Sequence, residues 1–509
     1  MTRSAWKLWI LLALCACGGG SGGGANALPP ANPPPSDVPL PSAPVVAAVR
    51  GVATVDLQVV TNDKTGLPAF AFRGKTGVAP TIDVKPGDKI VVSLKNALTG
   101  SGMAVDANLH FHGLTVSPRF PSDDVLTMIA TPGQTLHYTV PIPKTQEPGL
   151  YWYHPHVHGE TNLQVGLAGM SGAIVVEGRS SPVPALPEMK QHVIIVRDVQ
   201  DASAPSLRRA GPADTDRNTH PCGPDPGIHL SVNNVTRPTV TIAPGESQLF
   251  RVVNATGHRQ LVLQADGQML QIVAIDGYAL DTYPGSAPVL RVPKYVVPTA
   301  GRLEFVLTGP PSGASELRTL CYDAGPGGDP DPPEILADLR APDKTAAAAP
   351  LAGARIAPAP SARFEGRPSA RGVVPAVAAE RIVRFTEDSN GFYINGQYYD
   401  PHAAPMFTVK TGTVERWTVL NLTEEVHDFH LHQVHFLVQA VNGTPVAHPH
   451  WTDTFLVPQR IPGANGSFKP GTIQFLADFR DPVIRGTFLF HCHILDHEDG
   501  GMMAKIQAI

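Results

Sequence analysis

Histidines in this chain occur mostly in pairs separated by one residue. Twenty histidines placed at random among 509 positions would give roughly one such pair, whereas six are present. Side chains two residues apart on a β-strand point to the same face, so each pair can offer two imidazoles to one site. The pairs are His110/His112, His154/His156, His156/His158, His430/His432, His448/His450 and His491/His493.

The run His491-Cys492-His493 adds a second chemical group to this pattern. On an extended segment, Cys492 points opposite to its two histidine neighbours. His427 lies three residues before His430, an odd offset that again predicts opposite faces. Two segments therefore each serve two separate sites.

A Cys thiolate, two histidines and a distant Met form the ligand set of blue-copper electron-transfer centres. The thioether is the long axial ligand, and soft sulfur suits copper. This set is supplied by His427, Cys492, His497 and Met502.

The composition predicts the elements that hold these residues. With 48 Gly and 52 Pro, and with apolar runs between turn residues, the chain is typical of an all-β protein. Its net charge of -5 and 16% charged residues argue against a nucleic-acid partner. At 509 residues the chain is too long for one core.

A strand–turn–strand sequence pattern occurs three times, starting at Ile82, Val240 and Phe407. In each copy the second strand ends at Asn, as at Asn254 and Asn421. We therefore predict three related β-sandwich domains, joined by an Ala/Pro-rich linker before the last. Their predicted bounds are 45–180, 181–340 and 377–509, with the linker at 341–376.

The N-terminus predicts export. Arg3 and Lys7 precede an apolar stretch too short to span a membrane, which indicates a signal peptide over 1–17. Cys17 resembles the lipidated residue of a bacterial lipoprotein, which would place the protein in the periplasm or cell envelope, anchored to the outer membrane. A plain signal peptide is the alternative. Residues 18–44 are Gly/Pro-rich and are predicted to be a flexible tether.

Three cysteines remain after the signal. In an oxidising compartment Cys222 and Cys321 can form a disulfide, although the sequence does not test the distance between them. We expect Cys492 to stay reduced.

Four motifs together resemble the three-domain multicopper oxidases, the laccase-like family of cupredoxin sandwiches. The similarity extends over roughly residues 45–509, in family order and spacing. The motifs are His110-Phe111-His112-Gly113, Trp152-Tyr153-His154-Pro155-His156, His427-Asp428-Phe429-His430-Leu431-His432, and His491-Cys492-His493 through His497 to Met502.

This resemblance implies three cupredoxin-like Greek-key sandwiches and four copper ions, one of type 1, one of type 2 and two of type 3. A trinuclear cluster would reduce dioxygen to water between the first and last domains, with Cys492 linking it to the type 1 copper. The implied cluster ligands are His110 and His430 for type 2, and His112, His154 and His493 with His156, His432 and His491 for type 3.

The sequence departs from the family pattern at two positions. The family usually has Pro where Asp428 stands and Gly where Gln433 stands. The first change bears on the surroundings of type 1. Neither change removes a ligand.

Oxygen reduction consumes protons, so carboxylates beside the cluster are needed. The resemblance implies Glu498 as a proton donor and Asp123 or Asp124 as an acid near the type 2 site. The alternative for each is a solvated loop carboxylate.

Several residues have a plainer explanation. His158 and His435 suit hydrogen-bonding or surface roles, because the cluster is complete without them. His448 and His450 suit an exposed turn better than a metal site. Met502 is favoured over Met503 by spacing, although either can pack in the core.

Three functions remain open. One is laccase-like oxidation of phenols or aromatic amines, with a small-molecule donor reaching an exposed edge of His497 and dioxygen as acceptor. Another is a cuprous or other metal-ion oxidase, against which the nine scattered Met argue. The third is a non-catalytic copper-binding scaffold, against which the complete ligand set argues. We expect a monomer.

Overall fold

Short strands make up nearly all the regular structure of the computed structural model. It describes residues 34–99, 105–178, 189–200, 221–223, 228–282, 287–342 and 376–509. The predicted signal peptide with Cys17, the start of the tether and nearly all of the predicted linker lie outside these ranges.

The first pair of sheets has the strand orders β1-β5-β10-β9-β7 and β4-β3-β2-β6-β8. Its strands are β1 (Val45–Ala47), β2 (Val52–Thr61), β3 (Pro68–Phe72), β4 (Lys75–Thr76), β5 (Thr81–Val84), β6 (Lys89–Asn96), β7 (His110–His112), β8 (Thr135–Pro141), β9 (Gly149–His154) and β10 (Gly172–Val176).

The second pair has the orders β12-β11-β14-β20-β16-β17, with β18 beside β16, and β13-β22-β21-β15-β19. Its strands are β11 (Gln191–Gln200), β12 (Ile228–Val232), β13 (Thr239–Thr241), β14 (Ser247–Asn254), β15 (Leu261–Ala265), β16 (Leu270–Ile275), β17 (Tyr278–Ala279), β18 (Leu290–Val292), β19 (Tyr295–Val297), β20 (Arg302–Thr308), β21 (Ala314–Leu320) and β22 (Glu334–Arg340).

The third pair has the orders β24-β23-β26-β34-β28-β29, with β30 beside β28, and β25-β36-β35-β27-β31. A hairpin of β32 and β33 projects from it. The strands are β23 (Val377–Asp388), β24 (Gly391–Ile394), β25 (Phe407–Val409), β26 (Thr413–Asn421), β27 (His427–Leu431), β28 (Phe436–Val441), β29 (Thr444–Pro445), β30 (Trp451–Thr452), β31 (Thr454–Val457), β32 (Ile461–Pro462), β33 (Phe468–Lys469), β34 (Gly471–Phe479), β35 (Gly486–Cys492) and β36 (Met503–Ala508).

Helices are few and short in the described ranges. None of them is both long and apolar enough to cross a bilayer. They are α1 (Leu495–Asp499), a π-helical turn at Asn162–Leu167 and 3-10 turns at Leu280–Thr282, Ala464–Gly466 and Pro482–Ile484.

Each sandwich encloses its own apolar core. Strand β2 illustrates the reason, because its alternate residues Ala53, Val55, Leu57 and Val59 are at most 1% exposed while the residues between them face outward. Period-two alternation is what a sheet with one buried face requires. The all-β prediction with three two-sheet sandwiches is confirmed.

The repeated Asn has a structural role in all three sandwiches. Asn96, Asn254 and Asn421 are completely buried, and their side-chain amides donate to main-chain carbonyl oxygens of nearby loops. For Asn421 the acceptor is Glu425 O at 2.7 Å. The third copy thus fixes the loop of residues 422–426, which leads into β27.

The prediction of a flexible tether is wrong for its last residues. Leu40 N donates to Thr239 O and Thr239 N donates to Val38 O, both at 2.8 Å. Asp37 pairs with Arg340 at 2.6 Å. Because β13 is an edge strand with unpaired main-chain groups, it can accept this Pro-interrupted segment as a neighbour.

Cys222 and Cys321 form a disulfide across 99 residues of sequence, with a Cα–Cα distance of 5.3 Å. Among the cysteines that the structure describes, Cys492 is the free one, and it is buried.

We predict that the double variant Cys222→Ser/Cys321→Ser is less stable by about 4 kcal/mol, because the bridge closes a loop of 99 residues and so restricts the unfolded chain. Urea unfolding at equilibrium measures this difference. A reducing agent should lower the stability of the unaltered protein and leave that of the double variant unchanged. Equal stability of the two proteins would contradict a structural role for the bridge.

Candidate metal centre

Strand pairing sets the histidines side by side. Antiparallel β7 and β9 place His110 opposite His154, and antiparallel β27 and β35 place His430 opposite His491. Cys492 follows on β35 and points to the other face of that sheet. Register alone therefore brings paired motifs together in the first and third sandwiches.

Eight histidines gather where the first and third sandwiches meet. Two ring pairs are stacked across this interface, His110 on His432 with centroids 3.9 Å apart and His112 on His430 at 4.0 Å. Each of the eight is at most 3% exposed, and they are His110, His112, His154, His156, His430, His432, His491 and His493.

One ring nitrogen of several of these histidines faces a fixed acceptor. Carbonyl oxygens accept a hydrogen bond from Nδ1 of three rings: His154 to Pro155 O (2.8 Å), His430 to Asp453 O (2.8 Å) and His491 to Cys492 O (2.9 Å). A carbonyl only accepts, so Nδ1 carries the proton and Nε2 the lone pair.

Four ring nitrogens that face the cluster are left without a hydrogen bond. Nε2 of His110, His154 and His430 has no hydrogen-bond partner among the described residues, and the same holds for Nδ1 of His112. Leaving a buried polar group unpaired costs about 1–3 kcal/mol. A metal-binding imidazole needs one nitrogen with its lone pair facing the metal and the other nitrogen held by a hydrogen bond. This donor set therefore fits metal ions.

One trio already has its ligand atoms together. His491 Nε2 lies 3.2 Å from His156 Nε2 and 3.1 Å from His432 Nε2. Burial lowers the pKa of all three rings well below the ordinary value, with neighbouring histidines adding to the effect. The rings are therefore neutral and able to bind a cation.

The other cluster residues are equally close. Possible ligand atoms lie within 4.8 Å of one another in two further groups, which are His110, His112, His154 and His110, His430, His432. The ring of His493 lies 5.2 Å from His112 and 5.5 Å from His154. All eight sequence-predicted cluster residues thus meet in one place.

A second group lies on the opposite face of β35. Cys492 Sγ is 3.6 Å from His427 Nδ1 and 3.7 Å from His497 Nδ1, and the two nitrogens are 3.0 Å apart. Burial raises the pKa of the Cys492 thiol well above its usual value, so a bound metal ion has to displace the proton.

Met502 packs in the same core as Cys492, whereas Met503 belongs to a separate small cluster with Leu489. The main chain also joins the Met to its group, because Cys492 N donates to Met502 O at 3.0 Å and Met502 N donates to His497 O at 2.9 Å. The structure therefore brings Met502, and not Met503, to the Cys492 side.

The prediction that an edge of the His497 ring is exposed is wrong. The residue is 1% exposed, with its ring stacked on Phe392 at a centroid distance of 4.2 Å. Its outer nitrogen Nε2 lies 3.4 Å from Glu425 Oε1, while Thr423 Oγ1 lies 2.9 Å from His427 Nε2. The loop of residues 422–426 thus covers both histidines of this group.

Asp453 is a site residue that the sequence reasoning missed. Its Oδ1 lies 3.2 Å from His112 Nε2 and accepts from Arg302 Nη1 at 2.7 Å. Burial by itself would raise the pKa of Asp453, but Arg302 and His112 outweigh it and hold the pKa well below the ordinary range. The signal in the sequence was an acidic residue between two threonines in the strand-like run from Trp451 to Val457.

Gly113 explains how this carboxylate and guanidinium approach the first motif. It has a φ of +84°, and an added Cβ would lie 2.5 Å from Arg302 Nη2 and 2.8 Å from Asp453 Oδ2. Any side chain at this position would force the pair away from His112. The residue after the first His-x-His pair must therefore be glycine, because no space is left for a side chain.

Two of the three predicted carboxylates lie beside the cluster. Glu498 is fully buried, with Oε2 3.2 Å from His491 Nδ1, and burial raises its pKa well above the usual value. Asp123 Oδ2 lies 3.0 Å from His110 Nδ1. The structure does not bring Asp124 to the cluster, because its carboxylate accepts from the main-chain N and the hydroxyl of Thr127 in a turn.

Asp428 fills the position of the family's usual Pro with a link to the second sandwich. Its Oδ2 accepts from Gln260 Nε2 at 2.7 Å, Thr299 N at 2.9 Å and Thr299 Oγ1 at 2.5 Å. Burial raises its pKa to about 6, although these hydrogen bonds lower it. A proline would leave these three donors without this acceptor.

Gln433, at the family's usual Gly, keeps a left-handed backbone with a φ of +56°. Its side-chain amide donates to Asp123, so it connects the third sandwich to the carboxylate that holds His110. This departure adds a contact to the site at a backbone conformation that glycine adopts more easily.

The remaining histidines lie outside the two groups. His158 is half-buried with its ring edge against Tyr399. His435 is buried, with Nε2 3.2 Å from Asp453 Oδ2. His448 is exposed, and His450 is half-buried directly before β30.

Known proteins resemble this chain over most of its length. Two family models described as multicopper oxidase match residues 60–181 and 375–508. The multicopper oxidase mco of Staphylococcus aureus is 24% identical over 437 residues, which is 84% of this chain and 82% of that protein. A laccase of Bacillus subtilis is 26% identical over 497 residues, covering 86% and 90%.

A solved Campylobacter jejuni multicopper oxidase, described as a metallo-oxidase, has a TM-score of 0.70 and 21% identity, covering 93% of this chain and 98% of that one. This likeness concerns the fold. It confirms the predicted cupredoxin-like sandwiches.

We predict that Glu425→Gln raises the reduction potential of the metal held by Cys492 and its two histidines. A carboxylate at the outer nitrogen of His497 favours the more positive oxidation state of the metal. Redox titration against a small reductant should show at least a tenfold larger equilibrium constant for reduction of the metal. For one electron this corresponds to a rise of about 59 mV in the reduction potential.

The matched control is Glu424→Gln, since Glu424 is exposed and pairs with Arg460 instead. Its potential should stay at that of the unaltered protein. Equal potentials in both variants would show that the Glu425 carboxylate does not act on this site.

Proposed function

Because the chain belongs to the multicopper oxidase family of copper-dependent oxidoreductases with dioxygen as acceptor, we propose a coupled reaction for it. Copper held by the Cys492 group would accept single electrons from phenolic or aromatic donors as a type 1 site. Copper held by the eight histidines would form a trinuclear cluster at which four such electrons reduce dioxygen to water.

One observation carries this proposal. Two buried ligand groups face opposite sides of β35 and share the run His491-Cys492-His493, so a covalent path of a few bonds joins them. Copper bound there supplies one-electron redox chemistry at one group and dioxygen reduction at the other. The Cys492 backbone carbonyl also accepts from His491 Nδ1 at 2.9 Å, which holds the path rigid.

We assign four copper ions to these groups. The unpaired lone pairs of the buried imidazoles support the assignment. The type 1 ion is assigned to His427, Cys492, His497 and Met502, the type 2 ion to His110 and His430, and the type 3 ions to His112, His154, His493 and to His156, His432, His491.

Protons for water formation come from Glu498 in this proposal. Burial raises the pKa of Glu498 well above its ordinary value, which favours the protonated acid that can give its proton to a group at the cluster. Asp123 instead orients His110 through Nδ1. Asp453, in a fully buried ion pair with Arg302, orients His112 through Nε2.

A metal-ion oxidase is the second candidate. The observation that favours it is the cover over His497, because Phe392 and the Glu425 carboxylate replace the bare ring edge expected for contact with an aromatic donor. Oxygen uptake by the copper-loaded protein with phenols, Cu(I), Fe(II) and Mn(II) separates the two. If oxygen uptake is faster with a metal ion than with every phenol, the protein is a metal-ion oxidase and the phenol-oxidase proposal is wrong.

We also propose that the protein is exported to the periplasm or cell envelope and acts as a monomer on small molecules. The disulfide between Cys222 and Cys321 supports an oxidising compartment. A lipid anchor at Cys17 remains part of the proposal. Mass spectrometry of the mature N-terminus distinguishes a lipidated Cys17 from a plain cleavage product.

We predict that Cys492→Ser abolishes both the blue absorption and oxygen consumption with a phenolic donor. The serine hydroxyl cannot supply the thiolate that gives the absorption and completes the path. Visible spectra and an oxygen electrode measure the two effects. The eight histidines are unchanged, so about three copper ions should remain by metal analysis if the assignment above is correct.

We predict that Glu498→Gln lowers the rate of oxygen consumption by about a hundredfold, because the amide cannot donate a proton to the cluster. Reduction of the blue colour under nitrogen should keep its normal rate. Asp124→Asn is the control, since that carboxylate serves a turn, and its oxygen consumption should be unaffected. A full oxygen rate in Glu498→Gln would remove Glu498 from the proton path.

A further inference from the structure

A cavity of about 390 Å³ lies between the second and third sandwiches, outside both metal groups. Two edge strands form its walls, β19 from the second sandwich and β31 from the third. Its volume falls in the range of small-molecule sites. Among the described residues neither edge strand has a strand partner on this side, so the cavity is a gap between the two sheets.

The walls are mainly apolar with a polar floor. Val296, Pro298, Phe455 and Leu456 line the sides, and a flat hydrophobic ring suits such walls. The polar floor groups already bind one another. Thr452 Oγ1, for example, donates to Asp276 and to Thr454 O.

His450 is the lining group whose chemistry remains open. Its Nδ1 lies 2.9 Å from His448 O, and because a carbonyl only accepts, this contact fixes the proton on Nδ1. Nε2 then carries the lone pair and can accept a proton. Desolvation lowers the pKa of His450, which favours the neutral ring with its free lone pair. The charged lining groups are Lys294 at the exposed rim and Asp276 and Arg302 at the floor.

The cavity also lies beside the strand that carries the metal ligands. Strand β31 pairs with β27, so that Leu456 is opposite Asp428 and Val457 is opposite His427. Paired strands are about 4.8 Å apart. A ring against Leu456 is therefore one strand away from the residue that follows His427, whereas Phe392 and Glu425 cover the direct approach to His497.

We propose that this cavity binds the phenolic donor and that His450 accepts its proton. The inference rests on the proposed function and adds to it a binding site and a base. Oxidation of a phenol breaks the oxygen–hydrogen bond. The proton goes to His450 Nε2, the electron goes to the copper assigned to His427, Cys492 and His497, and a phenoxyl radical leaves.

Binding is tested first on copper-free protein, where no oxidation occurs. Fluorine NMR of 4-fluorophenol should show saturable binding to the unaltered protein. Val296→Trp fills the cavity and should weaken the binding at least tenfold. Val49→Trp, at a position that is 72% exposed on the first sandwich, should bind as the unaltered protein does. Unchanged binding in Val296→Trp overturns the site.

The base is tested on copper-loaded protein with two kinds of donor. His450→Gln should slow phenol oxidation about a hundredfold and leave the oxidation of ferrocyanide, which releases no proton, at its normal rate. His448→Gln, with its exposed side chain, should change neither rate. Equal phenol rates in His450→Gln and the unaltered protein overturn the role of His450, as does an equal loss with ferrocyanide.

These outcomes are separable from failure of the proposed function. If the unaltered protein oxidises ferrocyanide and no phenol, the donor class in that proposal is wrong, and so is the assignment of this cavity to the donor. If phenols are oxidised normally by Val296→Trp, the reaction stands and the cavity is not its binding site.

Discussion

The constraint on which the site depends is the burial of eight imidazoles around a few points in space. A buried imidazole is neutral, and its lone pair is costly unless something accepts it. The chain fixes which nitrogen is left over by giving the other one a carbonyl or carboxylate. His154, His430 and His491 are held by carbonyls, and His110 by Asp123. For these four histidines the direction of the lone pair is thus set before any metal ion binds.

The second sandwich supplies no predicted ligand, yet the first and third depend on it. Arg302 on β20 reaches Asp453, which lies under His112, and Gln260 and Thr299 hold Asp428. Buried charges of this kind are costly to separate once formed. The middle sandwich therefore fixes the relative position of the strands that carry the cluster.

Strand periodicity made the division of the ligands into two groups predictable. The odd offset between Cys492 and its neighbours is local, so the division into two groups follows from residues one or three apart, and the repeated Asn marked the loop that covers one group. Asp453 was not predictable because its role depends on Arg302, which is 151 residues away. The burial of His497 depends on Phe392 from another strand. Pairing of Leu40 with β13 likewise depends on an edge that only the folded sheet creates.

Strand β27 shows how one short segment can serve both metal groups and the contact with the second sandwich. His427 contacts Cys492, His430 stacks on His112 in the cluster, and Asp428 contacts the second sandwich. On the edge away from β35, it pairs with β31. Since the ligands are enclosed on both faces, they cannot select a donor by contact. Selection has to occur at the surfaces around them, in the loop of residues 422–426 or in the gap beside β31, and these surfaces can change without altering a ligand.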